Sequence, residues 1–208
     1  MRLSQTVLIS FIFLSVLVLN NAIIKNMNFS GTAVLATPNK GGTDIAILLP
    51  NNLTNKQYQI LGEAYKIAKD DGHKNPEILQ GILLQESNAG HHPTYRVSNP
   101  GINAYFGLAQ IKVAAARDVL KSYPELYKQF KFQTKTDDEI RAHLILDDTF
   151  NISVASKYLK ILKNDYGLSE KEMIRAFNKG PNAAGNRDGE TINKDDYVNG
   201  VLKKMFKN

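Results

Sequence analysis

The chain has 208 residues, 43% of them apolar and 22% charged, a globular composition sufficient for one domain and an appendage. Cysteine is absent, which excludes a disulfide framework, a thiolate metal site and a lipid-modified N-terminal cysteine. The formal net charge is +6 and the sequence pI about 9.3, but the lysines are scattered and often followed by acids, as at Lys69-Asp70 and Lys171-Glu172. That pattern describes a solvated surface rather than a nucleic-acid footprint, and an anionic envelope polymer or membrane surface is the more natural partner of a basic exported protein.

Met1 to Ala22 reads as an export signal: Arg2 supplies the positive n-region, and Val7 to Leu19 form an apolar core interrupted only by Ser10 and Ser15. The core is short for the ~20 residues of a spanning helix. Cleavage after Ala22 puts Asn20 where a small residue is preferred, so an uncleaved anchor using Leu3 to Ile24 stands beside the cleaved signal as an alternative. Either reading places the remainder outside the cytoplasm, in the periplasm or cell envelope. Residues 23–52 carry Gly31, Pro38, Gly41-Gly42 and Pro50 and read as a flexible tether, with a short extended stretch at Ile45 to Leu49.

Helices follow, and residues 53–208 form the folded domain. Thr54 and Gln57 make a capping box for a helix through Tyr58, Leu61 and Tyr65, which Asp71-Gly72 stops. Asn75 as N-cap and Pro76 as first residue start the next, with Gly90 just beyond its end. His91 to Asn103 is a Pro-, Asn- and Gly-rich loop. Gly107 opens a helix carrying Leu108, Ile111, Ala115 and Val119, and Ser122 to Lys135 is a loop or irregular insertion. Asp137 caps a short helix through Leu146. Phe150, Val154, Tyr158 and Ile161 line a longer one that ends near Gly167. Ser169 with Glu172 boxes a helix that Gly180-Pro181 terminates, and a last helix runs from about Asp195 to Phe206. No strand-period stretch or repeat is present, so the fold class is mainly α.

One acid is out of place in this pattern. Ile78, Ile82 and Glu86 fall at i, i+4, i+8, so Glu86 projects from the apolar face of its helix. A carboxyl there either reaches water at the helix end or is buried; burial raises its pKa and keeps it protonated. No Asp or Glu occurs between Glu86 and Asp118, so a second carboxylate is not at hand in that stretch. No metal or cofactor is implied: His91-His92 has no ligand spacing to His73 or His143, and Gly101 to Gly107 lacks the Gly-Lys-Ser/Thr ending of a phosphate loop.

Four stretches stand in order: "QES" at Gln85 to Ser87, "GLAQI" at Gly107 to Ile111, "AFNKGP" at Ala176 to Pro181 and "YVNGVL" from Tyr197. Together with "FNISVASKYLKIL", Phe150 to Leu162, they resemble the lysozyme-like soluble lytic transglycosylases, whose domain has the goose-type lysozyme fold. The resemblance covers roughly Ile60 to Met205. Ala109 and Phe177 depart from the family's usual Met and Tyr, and Glu190-Thr191 lies farther from Tyr197 than the pattern prefers.

The resemblance implies a helical domain with a catalytic groove for peptidoglycan glycan strands, served by one glutamate and no cofactor. Glu86 would protonate the bond between N-acetylmuramic acid and N-acetylglucosamine, then take the C6 hydroxyl proton as a 1,6-anhydro ring closes. Raising a glutamate's pKa by an apolar surround is the known lysozyme device. Ser87 would bond the Glu86 region or the N-acetyl group, or else satisfy helix-terminal backbone. Gln110 would contact sugar or backbone in the groove, and Asn178 would position substrate or cap its helix. Tyr197 would place a phenol beside Glu86 or serve as a core aromatic. Alternatives are a hydrolytic muramidase using Asp118 or Asp147-Asp148 as an extra acid, and a non-catalytic glycan-binding adaptor. The host system is general wall turnover, a secretion or conjugation machine, or a phage.

Overall fold

The computed structural model describes residues 52–92, 96–98, 104–183, 192 and 194–205. The leader, the tether through residue 51, Glu190-Thr191 and Phe206 lie outside them. The described residues form eight α-helices, a single 3-10 turn at Pro181–Ala183 and one two-stranded hairpin, the mainly helical fold that the sequence leads one to expect.

Helix α1 (Asn55–Asp70) starts on the expected box: Gln57 N donates to Thr54 Oγ1 (3.3 Å) and Thr54 N to Gln57 Oε1 (2.8 Å). Helix α2 (Glu77–Ser87) buries Ile78, Leu79, Gly81, Ile82, Leu83 and Leu84, so apolar side chains leave it in almost every direction and it belongs inside the core. Its buried Gln80 donates Nε2 to Leu61 O of α1 (2.9 Å), which removes the cost of enclosing an amide. Asn75 does not cap α2. Pro76 holds the cap position with helical dihedrals, and the Asn75 amide donates to Glu170 instead.

Gly107 opens a turn, not a helix. Strand β1 (Val97–Ser98) pairs antiparallel with β2 (Tyr105–Phe106), a pairing too short to leave an alternating pattern. Gly107, at φ +71°, begins a turn closed by Gln110 N to Gly107 O (3.2 Å) and Ile111 N to Phe106 O (3.0 Å). Helix α3 (Val113–Ser122) starts only afterwards. The expected irregular segment from Ser122 contains a short helix, α4 (Glu125–Gln129), and an aromatic anchor. Phe130 meets Phe150 edge-on with centroids 5.0 Å apart, and Phe132 stacks on His143 at 4.1 Å.

Helix α5 (Asp137–Leu146) is capped by Thr136 rather than Asp137. Helix α6 (Asp148–Asn164) is the second enclosed helix, with Phe150, Val154, Leu159 and Leu162 buried. Its Asn151 fastens the Gly107 turn: Oδ1 accepts from Ala109 N (2.8 Å), and Nδ2 donates to Phe106 O (2.8 Å) and Leu144 O (3.2 Å). Helix α7 (Glu170–Lys179) starts on the Ser169–Glu172 box and stops at Gly180, φ +84°. Helix α8 (Asp196–Met205) follows. Contacts α1–α6, α6–α7, α7–α8, α8–α2 and α2–α1 close a circuit, while α3 and α5 cover the rest of α6. Helix α8 is thereby laid along α2.

Candidate active site

The α2–α8 contact is close because glycine stands on each side of it. A Cβ at Gly81 would lie 2.7 Å from Met205 Cγ and 2.9 Å from Val201 O, and one at Gly200 would lie 2.7 Å from Gln85 Oε1. The two helices run in opposite senses, Tyr197 meeting Glu86 and Met205 meeting Gly81. At one end of the seam the Tyr197 hydroxyl donates to Glu86 Oε1 at 2.5 Å. Glu86 is half-buried, one turn beyond the fully buried Ile82.

Burial pushes the Glu86 carboxyl above its ordinary value of 4.5; the Tyr197 hydrogen bond and the Lys204 charge pull the other way without cancelling it. Its place in the last turn of α2 works in the same sense as burial, since a helix C-terminus carries partial negative charge. Burial and the adjacent Glu86 charge raise the Tyr197 phenol well above 10. It therefore stays a neutral donor across the physiological range.

Helix α2 ends with unusual backbone. Asn88 (φ 51°) and Ala89 (φ 49°) are both left-handed, ahead of Gly90 (φ 80°). Non-glycine residues in that region are disfavoured by roughly 1–2 kcal/mol each and persist only where surroundings hold them. Here Gln57 Nε2 donates to Asn88 O (2.8 Å), and Ala89 is buried. The Ser87 hydroxyl serves the same turn, donating to Leu83 O (3.2 Å) and accepting from Gly90 N (3.1 Å). Of the two roles open to Ser87, helix-terminal satisfaction is the one its contacts display.

The remaining sequence-derived residues lie on other elements. Gln110, at φ +50°, donates Nε2 to Gly107 O (2.7 Å) and accepts from the Ser98 hydroxyl, so its amide faces the hairpin. Asn178 is exposed in the last turn of α7, where Gly180 rather than Asn178 forms the cap. Phe177 packs on Tyr158 with centroids 5.7 Å apart, and Ala109 is fully buried. Asp147 accepts from Phe150 N (2.9 Å) as the α6 cap, Asp148 pairs with Arg96 (2.7 Å), and Asp118 lies 3.5 Å from Lys121. Among the described residues no three His, Cys, Asp or Glu side chains converge as metal ligands.

Two residues at this site, Asp195 and Lys204, escape a motif-based reading. Asp195 Oδ1 caps α8, accepting from Tyr197 N (3.1 Å) and Val198 N (3.2 Å), while Oδ2 meets Lys179 Nζ (3.0 Å) and Arg175 Nη1 (3.5 Å) from α7. Burial alone would raise the Asp195 carboxyl; the Lys179 ammonium, the Val198 N–H and the Arg175 charge outweigh it and hold it below its ordinary range. Lys204 Nζ donates to Leu84 O (3.0 Å), crossing from α8 to α2. An aspartate ahead of a helix is a readable cap signal, and Lys204 follows Tyr197 by two helical turns.

The transglycosylase SLT domain family matches residues 63–199. The chain belongs to that family. The match spans α1 to the middle of α8 and includes Glu86, the Gly107 turn, α7 and Tyr197. The helical architecture is consistent with the lysozyme-like fold of SLT domains. No curated protein matches the chain.

Proposed function

We propose that this SLT-domain chain is a peptidoglycan lytic transglycosylase, exported to the cell envelope, in which Glu86 acts first as acid and then as base. The observation that carries the reading is the Glu86 carboxyl, raised by burial, with a neutral phenol bonded to one oxygen. The protonated Glu86 carboxyl gives its proton to the glycosidic oxygen, the C1–O bond breaks, and the N-acetylglucosamine end departs with a free C4 hydroxyl. The substrate's N-acetyl group shares the positive charge left on the muramic acid ring. Glu86, now a carboxylate, removes the C6 hydroxyl proton as that oxygen bonds C1. The proton count returns to its start and no water is consumed.

Tyr197 holds the Glu86 carboxyl through Oε1, which leaves Oε2 to carry the moving proton. Of the aspartates a hydrolytic muramidase would draw on, Asp147 caps α6, Asp148 is paired with Arg96, and Asp118 is an exposed side chain of α3 lying 3.5 Å from Lys121. Product analysis tests the proposal. Purified peptidoglycan treated with the full-length protein should release 1,6-anhydro muropeptides at an undiminished rate in the presence of a chelator. Reducing-end products alone would assign a muramidase, and glycan binding without any cleavage would assign an adaptor.

A further inference from the structure

Lys204 does two things that no part of the acid–base reading uses. It sits two turns after Tyr197 on the face of α8 that covers α2, and it sends its ammonium across the seam to Leu84 O (3.0 Å). The C-terminal backbone bonds explain why that carbonyl is available. Asn88 N and Ala89 N both turn back to Leu83 O, leaving Leu84 O to a side-chain donor. A cation is thus fixed on the negative end of α2, in the turn that carries Glu86.

We propose that Lys204 is a positioning residue for catalysis, whose ammonium, held on the α2 carbonyl end, is the counter-charge against which Glu86 becomes a carboxylate between its two proton transfers. The inference rests on the acid–base reading of Glu86 given above. Burial and the helix terminus both oppose the ionised form that must exist midway through the reaction. An acid made too weak by its surroundings donates poorly, while one left ionised has no proton to give. The charge of Lys204 offsets part of that bias and keeps both half-steps accessible.

Among the described residues, the groups facing Glu86 are few. From α8 come the Tyr197 phenol and Lys204. From α1, Gln57, Ile60, Leu61 and Ala64 are buried on the helix that flanks α2 and none of them titrates; the Tyr65 phenol senses Glu77, at the opposite end of α2. Asp195 acts on Tyr197 rather than on Glu86. Among the described residues, the positive charge acting on Glu86 is therefore that of Lys204.

The test is the pH dependence of anhydro-muropeptide release by full-length variants. Lys204→Gln keeps a donor for Leu84 O and removes the charge; Lys204→Met removes both, and Lys204→Arg keeps both. Activity declines at high pH as Glu86 loses its proton. In the two neutral variants that alkaline limb should move up by about half a pH unit or more, the scale on which losing an opposite charge acts on a carboxyl. Lys204→Arg should leave it in place. A limb unmoved in folded Lys204→Gln and Lys204→Met overturns the proposal, and so does failure of both to fold while Lys204→Arg folds, since the role is then purely structural. Glu86→Gln in parallel keeps the two readings apart. If it is active, the acid–base reading fails whatever Lys204 does; if it is inactive while the limb stays put, only the Lys204 proposal fails.

Discussion

Glu86→Gln preserves shape and volume but can neither give nor take the proton. General acid–base catalysis is typically worth ~10²–10⁴-fold, and with one residue serving both steps the loss in turnover should reach the upper end. Stability should respond in the opposite sense. A folded pKa above the ordinary value means that the stability contributed by Glu86 is fully present below its unfolded pKa and is lost as pH rises through the folded one. Thermal melts should thus show the glutamine variant gaining on the wild type as pH increases past that point. Tyr197→Phe removes a hydrogen bond to a charged acceptor, worth roughly 1.5–3 kcal/mol, so turnover should fall about tenfold to a hundredfold. Its alkaline limb should also move up, because the lost bond had favoured the carboxylate. At this scale the sequence was informative about Glu86, whose i, i+4, i+8 relation to Ile78 and Ile82 survives any uncertainty in helix boundaries. Local pattern does not encode which of two roles a tyrosine takes, and it was the family resemblance alone that offered Glu86, 111 positions away, as the neighbour of the Tyr197 phenol.

Among the elements, the seam between α2 and α8 and the junction between α7 and α8 set where those side chains stand. Gly81→Ala drives a methyl into Val201 backbone and Met205, and overpacking of that kind costs about 1–3 kcal/mol while prising Tyr197 from Glu86. Gly200→Ala meets only the far end of the Gln85 side chain, which can swing away, so its effect on melting temperature and activity should be much smaller. Asp195→Ala uncaps α8 and leaves the buried Arg175 facing no acid. Removing one partner of a buried pair typically costs about 3–5 kcal/mol. Arg175→Met should be nearly neutral by comparison, since Asp195 keeps Lys179 and two backbone donors, and Arg175 Nε and Nη1 make no hydrogen bond to lose. Helix caps at Thr54 and Ser169 were legible because their partners lie three residues away. The Gly107 turn was mistaken for a helix start because its Leu108 and Ile111 have helical spacing, while its true determinant, Asn151, is supplied by a distant helix.

Across the whole molecule, the circuit of helices is also tied at α1–α6 by a polar cluster. His73 Nε2 lies 3.1 Å from both Ser156 O and Ser156 Oγ, and Asp71 accepts from Ser156 Oγ (2.6 Å) and Lys157 Nζ (2.7 Å). The bond to a carbonyl requires the Nε2–H tautomer, and burial holds the imidazole pKa below 6.5. The unfolded chain therefore takes up a proton first as pH falls. Stability from this group is complete above about 6.5 and is lost through the interval down to its folded pKa. Melting temperatures of His73→Gln should accordingly fall less between neutral pH and pH 5 than those of the wild type. The helical class of the molecule was written in composition and periodicity, whereas the circuit itself was not, since helix-to-helix neighbours are chosen by packing. The position of α8 in the chain has one more consequence. It follows every other described element, yet it brings the phenol and the ammonium to a carboxyl near the start of the domain. A chain made from its N-terminus exposes Glu86 long before α8 exists, and in that interval the acid has neither neighbour. The surroundings that the proposed acid–base chemistry requires are thus completed by the order of synthesis: Glu86 gains its phenol and its ammonium only once α8 has been made and packs back on α2.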